Sequence, residues 1–182
     1  MKKITFALLL VCLMVPLLGS CSFHQPFPAE WKPPESSNTA CPNIDGKYLN
    51  EGEGKDPQYK PTLAWYLFRQ SAPWKETTHV SFTRKTDASV EVILWNGNKK
   101  LFQRDLRTDE KEVSCQEGFL KINTREYVSD GGALGKEWSV IGLARSQDYL
   151  VVRNESGAVG LFFLFPVAGT ATDWYRFRAI GE

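Results

Sequence analysis

The chain has 182 residues, of which 22 are Lys or Arg and 21 are Asp or Glu, for a formal charge of +1 at neutral pH. That length suffices for one domain with its own core. A balance so close to neutral leaves no basic excess to neutralise phosphates, which argues against nucleic acid as a partner. Four cysteines and two histidines set narrow bounds on thiol, imidazole and metal chemistry.

The chain opens with Lys2 and Lys3, followed by an almost continuously apolar run over residues 4–18. The run is shorter than the roughly 20 residues a helix needs to cross the hydrocarbon core, and Pro16 weakens a helix through it. A positive start, a short apolar stretch and small residues behind it describe a secretory signal peptide. Residues 1–20 are therefore set apart from the fold.

The end of this leader, Leu18-Gly19-Ser20-Cys21, resembles the lipobox of bacterial lipoproteins. The resemblance implies a diacylglycerol thioether on Cys21, cleavage just before it, and acylation (palmitate) of the new amino terminus. Each buried methylene of such chains is worth about 0.8 kcal/mol, and several chains together make a durable anchor. Ser22 follows the cysteine, where an Asp commonly retains such lipoproteins at the inner membrane, so the resemblance implies the outer membrane with the domain in the periplasm. Loss of the two leader lysines leaves 20 basic against 21 acidic residues, a charge of −1. With no polybasic patch, membrane attachment is expected through the acyl chains alone.

Residues 21–40 read as the lipidated cysteine and a tether. Pro26, Pro28, Pro33 and Pro34, then a Ser/Asn/Thr cluster, favour extended polyproline-like chain of about 3 Å per residue. Phe23, Phe27 and Trp31 interrupt it, either to lie against headgroups or to fold back onto the domain. Cys12 departs with the leader and Cys21 is taken by lipid, so Cys41 and Cys115 remain in a compartment where disulfides persist. A Cys41–Cys115 bond is expected, worth about 4 kcal/mol in the chain-entropy model.

Residues 41–182 read as a single, mainly β domain. Period two dominates: strands are expected at 46–50, 79–83, 89–95, 99–106, 118–127, 138–144, 149–154, 159–165 and 174–177. Asn96-Gly97 is the strongest hairpin signal, Asp130-Gly131-Gly132 a second turn, and Asn154-Glu155-Ser156-Gly157 a third. A short helix is expected near 62–69, with Pro61 ahead of it as a first-turn residue; a buried strand is the competing reading. Many short strands and tight turns favour an antiparallel meander closed as a small barrel, with a β-sandwich as the alternative.

The stretch from Cys41 to Asn50 looks like the domain start of small, largely uncharacterised bacterial outer-membrane lipoproteins. Gly46-Lys47-Tyr48 is similar to the G-x-W entry to the first strand of lipocalins, and Thr172-Asp173-Trp174 resembles their T-D-Y element. This resemblance implies a structural cluster of Gly46, Tyr48 and a covering cation–π arginine, Arg176 or Arg178.

No catalytic, cofactor or metal residues are expected. His24 lies in the tether and His79 near a strand start. The sequence carries no HExxH, zinc-spaced Cys/His cluster, P-loop or G-x-S-x-G. The acids of Glu51-Gly52-Glu53-Gly54-Lys55-Asp56 lack the ligand order of a calcium loop. Leu161-Phe162-Phe163-Leu164-Phe165-Pro166 is apolar on both strand faces, so one face needs cover from the domain, a partner, lipid or a ligand. The sequence-level expectation is a non-catalytic binding or envelope-maintenance lipoprotein that contacts an apolar ligand or an envelope protein. An adaptor or inhibitor of a periplasmic enzyme is the alternative, and a hydrolase with an unrecognised site the third reading.

Overall fold

A computed structural model describes residues 21–34, 41–108, 113–130, 133–162 and 165–181. The leader, 1–20, and the Ser/Asn/Thr end of the tether lie outside the described residues.

Among the described residues ten strands run in chain order: β1 Cys21–His24, β2 Gly46–Leu49, β3 His79–Thr86, β4 Ser89–Asn96, β5 Lys99–Arg107, β6 Val113–Gln116, β7 Phe119–Asp130, β8 Ala133–Ser146, β9 Tyr149–Phe162 and β10 Phe165–Ile180. Among the described residues one short helix, α1 Leu63–Phe68, continues into a 3₁₀ turn at Arg69–Ser71. The strands form one sheet in the order β5-β4-β3-β2-β10-β9-β8-β7-β6, and β1 lies beside β10. Every pairing along this path is antiparallel; β1 alone pairs in parallel. The molecule is thus the expected mainly β meander, and among the described residues no ladder joins β5 to β6.

The inner face follows the pleat. Val90, Val92 and Leu94 alternate inward on β4, as the period-two pattern predicts. They meet Ile122, Ile141, Leu143, Leu150 and Val152 from the other half of the sheet in a single core cluster. A sheet with one inner face can bring its two halves together only by curling over on itself. The Cys41–Cys115 disulfide, with Cα atoms 5.0 Å apart, staples the chain ahead of β2 to the edge strand β6. Arg84 of β3 adds hydrogen bonds to the carbonyls of Cys41 and Pro42.

The helix plugs this curl. Leu63, Ala64, Tyr66, Leu67 and Phe68 are all buried, since α1 touches both sides: Phe68 packs on Phe102 of β5 and Tyr66 stacks on Tyr175 of β10. Six residues form a marginal helix alone, and its start is held from outside. Asn50, itself buried, accepts from the Leu63 N–H through its carbonyl and from the Ala64 N–H through its side chain. The Asn50 amide donates onward to the carbonyls of Trp74 and Thr77. Arg69, at φ 51°, ends the helix.

Three differences from the sequence reading matter. Asn154–Gly157 is not a turn; β9 runs straight through it, paired with β8 and β10 along its length. The expected strand at 174–177 is the last part of a 16-residue β10. The segment read as an extended spacer is, over residues 21–34, a strap packed on the sheet. Its β1 pairs with Gly169–Thr172, Gln25 bonds the Thr172 carbonyl, and the Ser146 hydroxyl donates to the carbonyl of Lys32. Trp31 is only 7% exposed. Aromatic rings that find an apolar bed outweigh the polyproline preference of their neighbours.

Candidate functional site

The strand pairing sorts β8, β9 and β10 into an inner and an outer face. Inward lie Leu143, Val152 and Tyr175, then Ile141, Asn154 and Asp173, then Ser139, Ser156 and Ala171, then Glu137, Ala158 and Gly169. Along this one face the side chains pass from aliphatic to amide and hydroxyl, and then to small or charged. Above the polar stretch the sheet is not filled by other strands, and a cleft of about 570 Å³ opens there. Its floor is Ser139, Asn154, Ser156 and Ala171, with Tyr59, Trp65 and Tyr66 forming the opposite wall. Arg69 and Glu137 place one charge of each sign in the lining.

The wall is rigid because its rings are held from behind. Trp65 packs edge-on against Trp74 with centroids 5.0 Å apart, and the Arg69 guanidinium lies 5.5 Å from the Trp65 ring. The hydroxyls of Tyr59 and Tyr66 lie 3.3 Å apart, and that of Tyr66 also bonds Tyr175. Burial, with the hydrogen bonds to Tyr175 and Tyr59, pushes the Tyr66 phenol far above its ordinary range. Burial pushes Tyr175 up to about 12, against its hydrogen bond with Tyr66. Both phenols are therefore neutral hydrogen-bonding groups at any physiological pH.

The floor is a ladder of partners. Ser139 donates to the buried Asn154 side-chain oxygen at 3.0 Å. Asn154 also bonds Asp173, whose carboxyl burial pushes up from its ordinary value while that hydrogen bond pulls it back. Among the described residues no side-chain polar atom is buried without a partner. Such a site offers aromatic faces on one side and satisfied, exchangeable hydrogen-bonding groups on the other.

The residues singled out from sequence fall elsewhere. Cys21 lies on β1 opposite Gly169. His24 hydrogen-bonds Thr172 on the outer face. His79 stacks on Trp95 in β4 at 6.0 Å, and burial, with the charge of Lys47, lowers its pKa. The loop acids disperse: Glu53 pairs with Arg176, Glu51 with Lys60, and Asp56 caps the Gln58 N–H.

Gly46 and Tyr48 do come together, since a Cβ on Gly46 would sit 3.5 Å from the Tyr48 hydroxyl. Tyr48 is buried against Phe82 and donates to the Ile44 carbonyl. The expected Arg176 cover over Tyr48 is not what forms. Tyr48 pairs with Ala179, so the β10 residues on its face are Phe177 and Tyr175, while Arg176 and Arg178 point to the other side. There Arg176 lies 4.8 Å from the Trp31 ring and 4.6 Å from that of Tyr149, holding the strap.

Sequence reading missed Ser139, Asn154, Ser156 and Asp173 as lining or lining-support residues. The signal was there: Asn154 and Ser156 continue the inward parity of Val152 on β9, but the Asn-Glu-Ser-Gly composition speaks for a turn. No family model matches the chain, and no curated protein and no solved structure matches it. The molecule is defined by what it carries, a curled antiparallel sheet with a cleft between aromatic rings and a hydroxyl–amide floor.

Proposed function

We propose that this chain is a lipid-anchored binding protein of the bacterial envelope, fixed to the outer membrane through Cys21, with its domain in the periplasm. The cleft between α1 and the β8–β10 floor is the observation that supports binding. Its volume of about 570 Å³ is that of an ordinary small-molecule site. Its occupant is amphipathic, with a flat apolar face for Trp65 and Tyr66 and hydroxyl or amide groups for Ser139, Asn154 and Ser156. A saccharide or a lipid headgroup has this chemistry. One Arg and one Glu in the lining give no bias towards a strongly charged ligand. The reading is one of binding without catalysis; the cleft supplies donors, acceptors and rings.

Native mass spectrometry of protein extracted in mild detergent tests this. A small molecule should accompany the wild type and be lost from Ser156→Trp, which fills the cleft from the floor. A wild type that carries only protein partners would replace this reading with the adaptor one. Metabolic labelling with a fatty acid tests the anchor: the wild type should be labelled and Cys21→Ser should not.

A further inference from the structure

The sheet does not end where its core ends. The core cluster on β9 ends at Val152 and the last described buried side chain is that of Asn154, yet β9 continues to Phe162 and returns as β10 from Phe165. At about 3.4 Å per residue these eight residues carry the β9–β10 hairpin some 27 Å further. From Ala158 to Gly169 this arm reads Ala-Val-Gly-Leu-Phe-Phe-Leu-Phe-Pro-Val-Ala-Gly, without one charged, hydroxyl or amide side chain. Its described large residues are exposed: Val159 by 51%, Leu161 by 43% and Val167 by 48%, with Leu134 of β8 beside Leu161 at 61%.

The β9–β10 hairpin itself is apolar on both faces; β8 runs beside it, with Leu134 opposite Leu161 and, nearer the base, Lys136 opposite Val159. Val159 and Leu161 share one face with Ala168 and Pro166, while Val167 stands opposite Gly160 on the other. A protein partner docking on a sheet covers one face; a fluid apolar phase wets both. The strap then fixes the arm relative to the anchor. Cys21 pairs with Gly169, so the attachment point lies at the base of the arm, four residues or about 13 Å from the start of β10 at Phe165. That is close to the thickness of one leaflet of hydrocarbon, about 15 Å.

We infer that the β9–β10 arm enters the same leaflet as the acyl chains on Cys21, so that the domain is seated on the membrane in one orientation. The occupant of the arm's apolar surface is the bilayer interface. The insertion is shallow. Among the described residues, β10 has no strand partner on its outer side from Phe165 to Ala168, and unpaired backbone does not persist in the hydrocarbon centre. Leu161, Pro166 and Leu134, at the outer end, lie about 5–10 Å below the headgroups, the depth of other interfacial elements. The cleft, whose floor reaches Ala158 and Gly169, then opens at the level of the headgroups. The geometry rests on acylation of Cys21; the affinity of the arm does not.

Two measurements separate these. In the lipidated full chain, Leu161→Cys carries an environment-sensitive fluorophore; Cys41 and Cys115 are oxidised and Cys21 is blocked, so the label is specific. In vesicles of phosphatidylethanolamine and phosphatidylglycerol its emission should shift to the blue and be quenched by brominated acyl chains. The same label on Asp148→Cys, in the turn at the other end of β9, should stay accessible to aqueous iodide. Equal iodide access at both positions in a lipidated, vesicle-bound protein would overturn the insertion while leaving the anchor intact. In the unlipidated Cys21→Ser chain, residual partition onto these vesicles should fall at least tenfold on Leu161→Glu, with circular dichroism unchanged because Leu161 is exposed. Unchanged partition would overturn the inference, and absence of acyl label on the wild type would overturn only the anchor.

Discussion

Replacing Trp31 with alanine tests whether the strap is part of the domain. The ring is 7% exposed, packs edge-on to Phe27, which in turn meets Trp174, and carries the Arg176 guanidinium on its face. A tryptophan buries up to about 250 Å², which at about 25 cal/mol/Å² bounds the hydrophobic contribution near 6 kcal/mol. Compact denatured chains lower that bound, and core Trp→Ala changes cost about 3–5 kcal/mol. The cation–π contact adds about 1 kcal/mol. Against this, the strap can peel from the sheet without unfolding it, which caps the loss at the docking energy. A decrease of about 3 kcal/mol is expected. With a urea m-value of about 2 kcal/mol/M, the midpoint in the Cys21→Ser background should fall by about 1.5 M. Amide hydrogen exchange should show residues 22–31 protected in the parent and exchanging freely in Trp31→Ala. A midpoint within about 0.3 M of the parent, with the strap still protected, would refute the reasoning and return residues 21–34 to the role of a spacer.

Asn50→Ala should lower stability by about 3 kcal/mol in thermal or urea unfolding, since it strands the Ala64 N–H and the Trp74 and Thr77 carbonyls in a buried site. A loss under about 0.5 kcal/mol would mean α1 is held by packing alone. Asp173→Asn should raise the melting temperature at pH 7. The Asp173 carboxyl binds its proton more tightly folded than unfolded, because burial raises its pKa above 3.8. The wild type therefore gains relative stability as pH falls through that raised value and loses it as pH rises, while the amide does not titrate. The advantage of the variant should vanish below pH 3.8; an advantage that persists there would exclude the carboxylate as its cause.

Much of the domain was legible along the chain. The alternation Val90, Val92, Leu94 placed β4 with the correct inward face, and Asn96-Gly97 marked its hairpin. Gly118–Tyr127 anticipated β7. These readings succeeded because the information is local: a period of two and a turn residue act within a few positions. The readings that failed turned on neighbours far away in sequence. Asn154–Gly157 has turn composition, yet strands on both sides supply the backbone partners that keep it extended. Prolines at 26, 28, 33 and 34 speak for a free spacer, yet Trp174 and Arg176, more than a hundred residues later, provide the bed on which Phe27 and Trp31 settle.

By itself, the sequence determined the β class and the inward faces, because each depends on local pattern, and it pointed to the Cys41–Cys115 pair on the expectation that Cys12 and Cys21 are spent elsewhere. Tertiary structure alone decided that the sheet curls around a helix, that a polar stretch of its inner face stays open as a cleft, and that the strap brings Cys21 to the base of an uncharged hairpin arm. Those arrangements arise from which strands become neighbours, and a strand's own residues do not encode the identity of the surface on its far side.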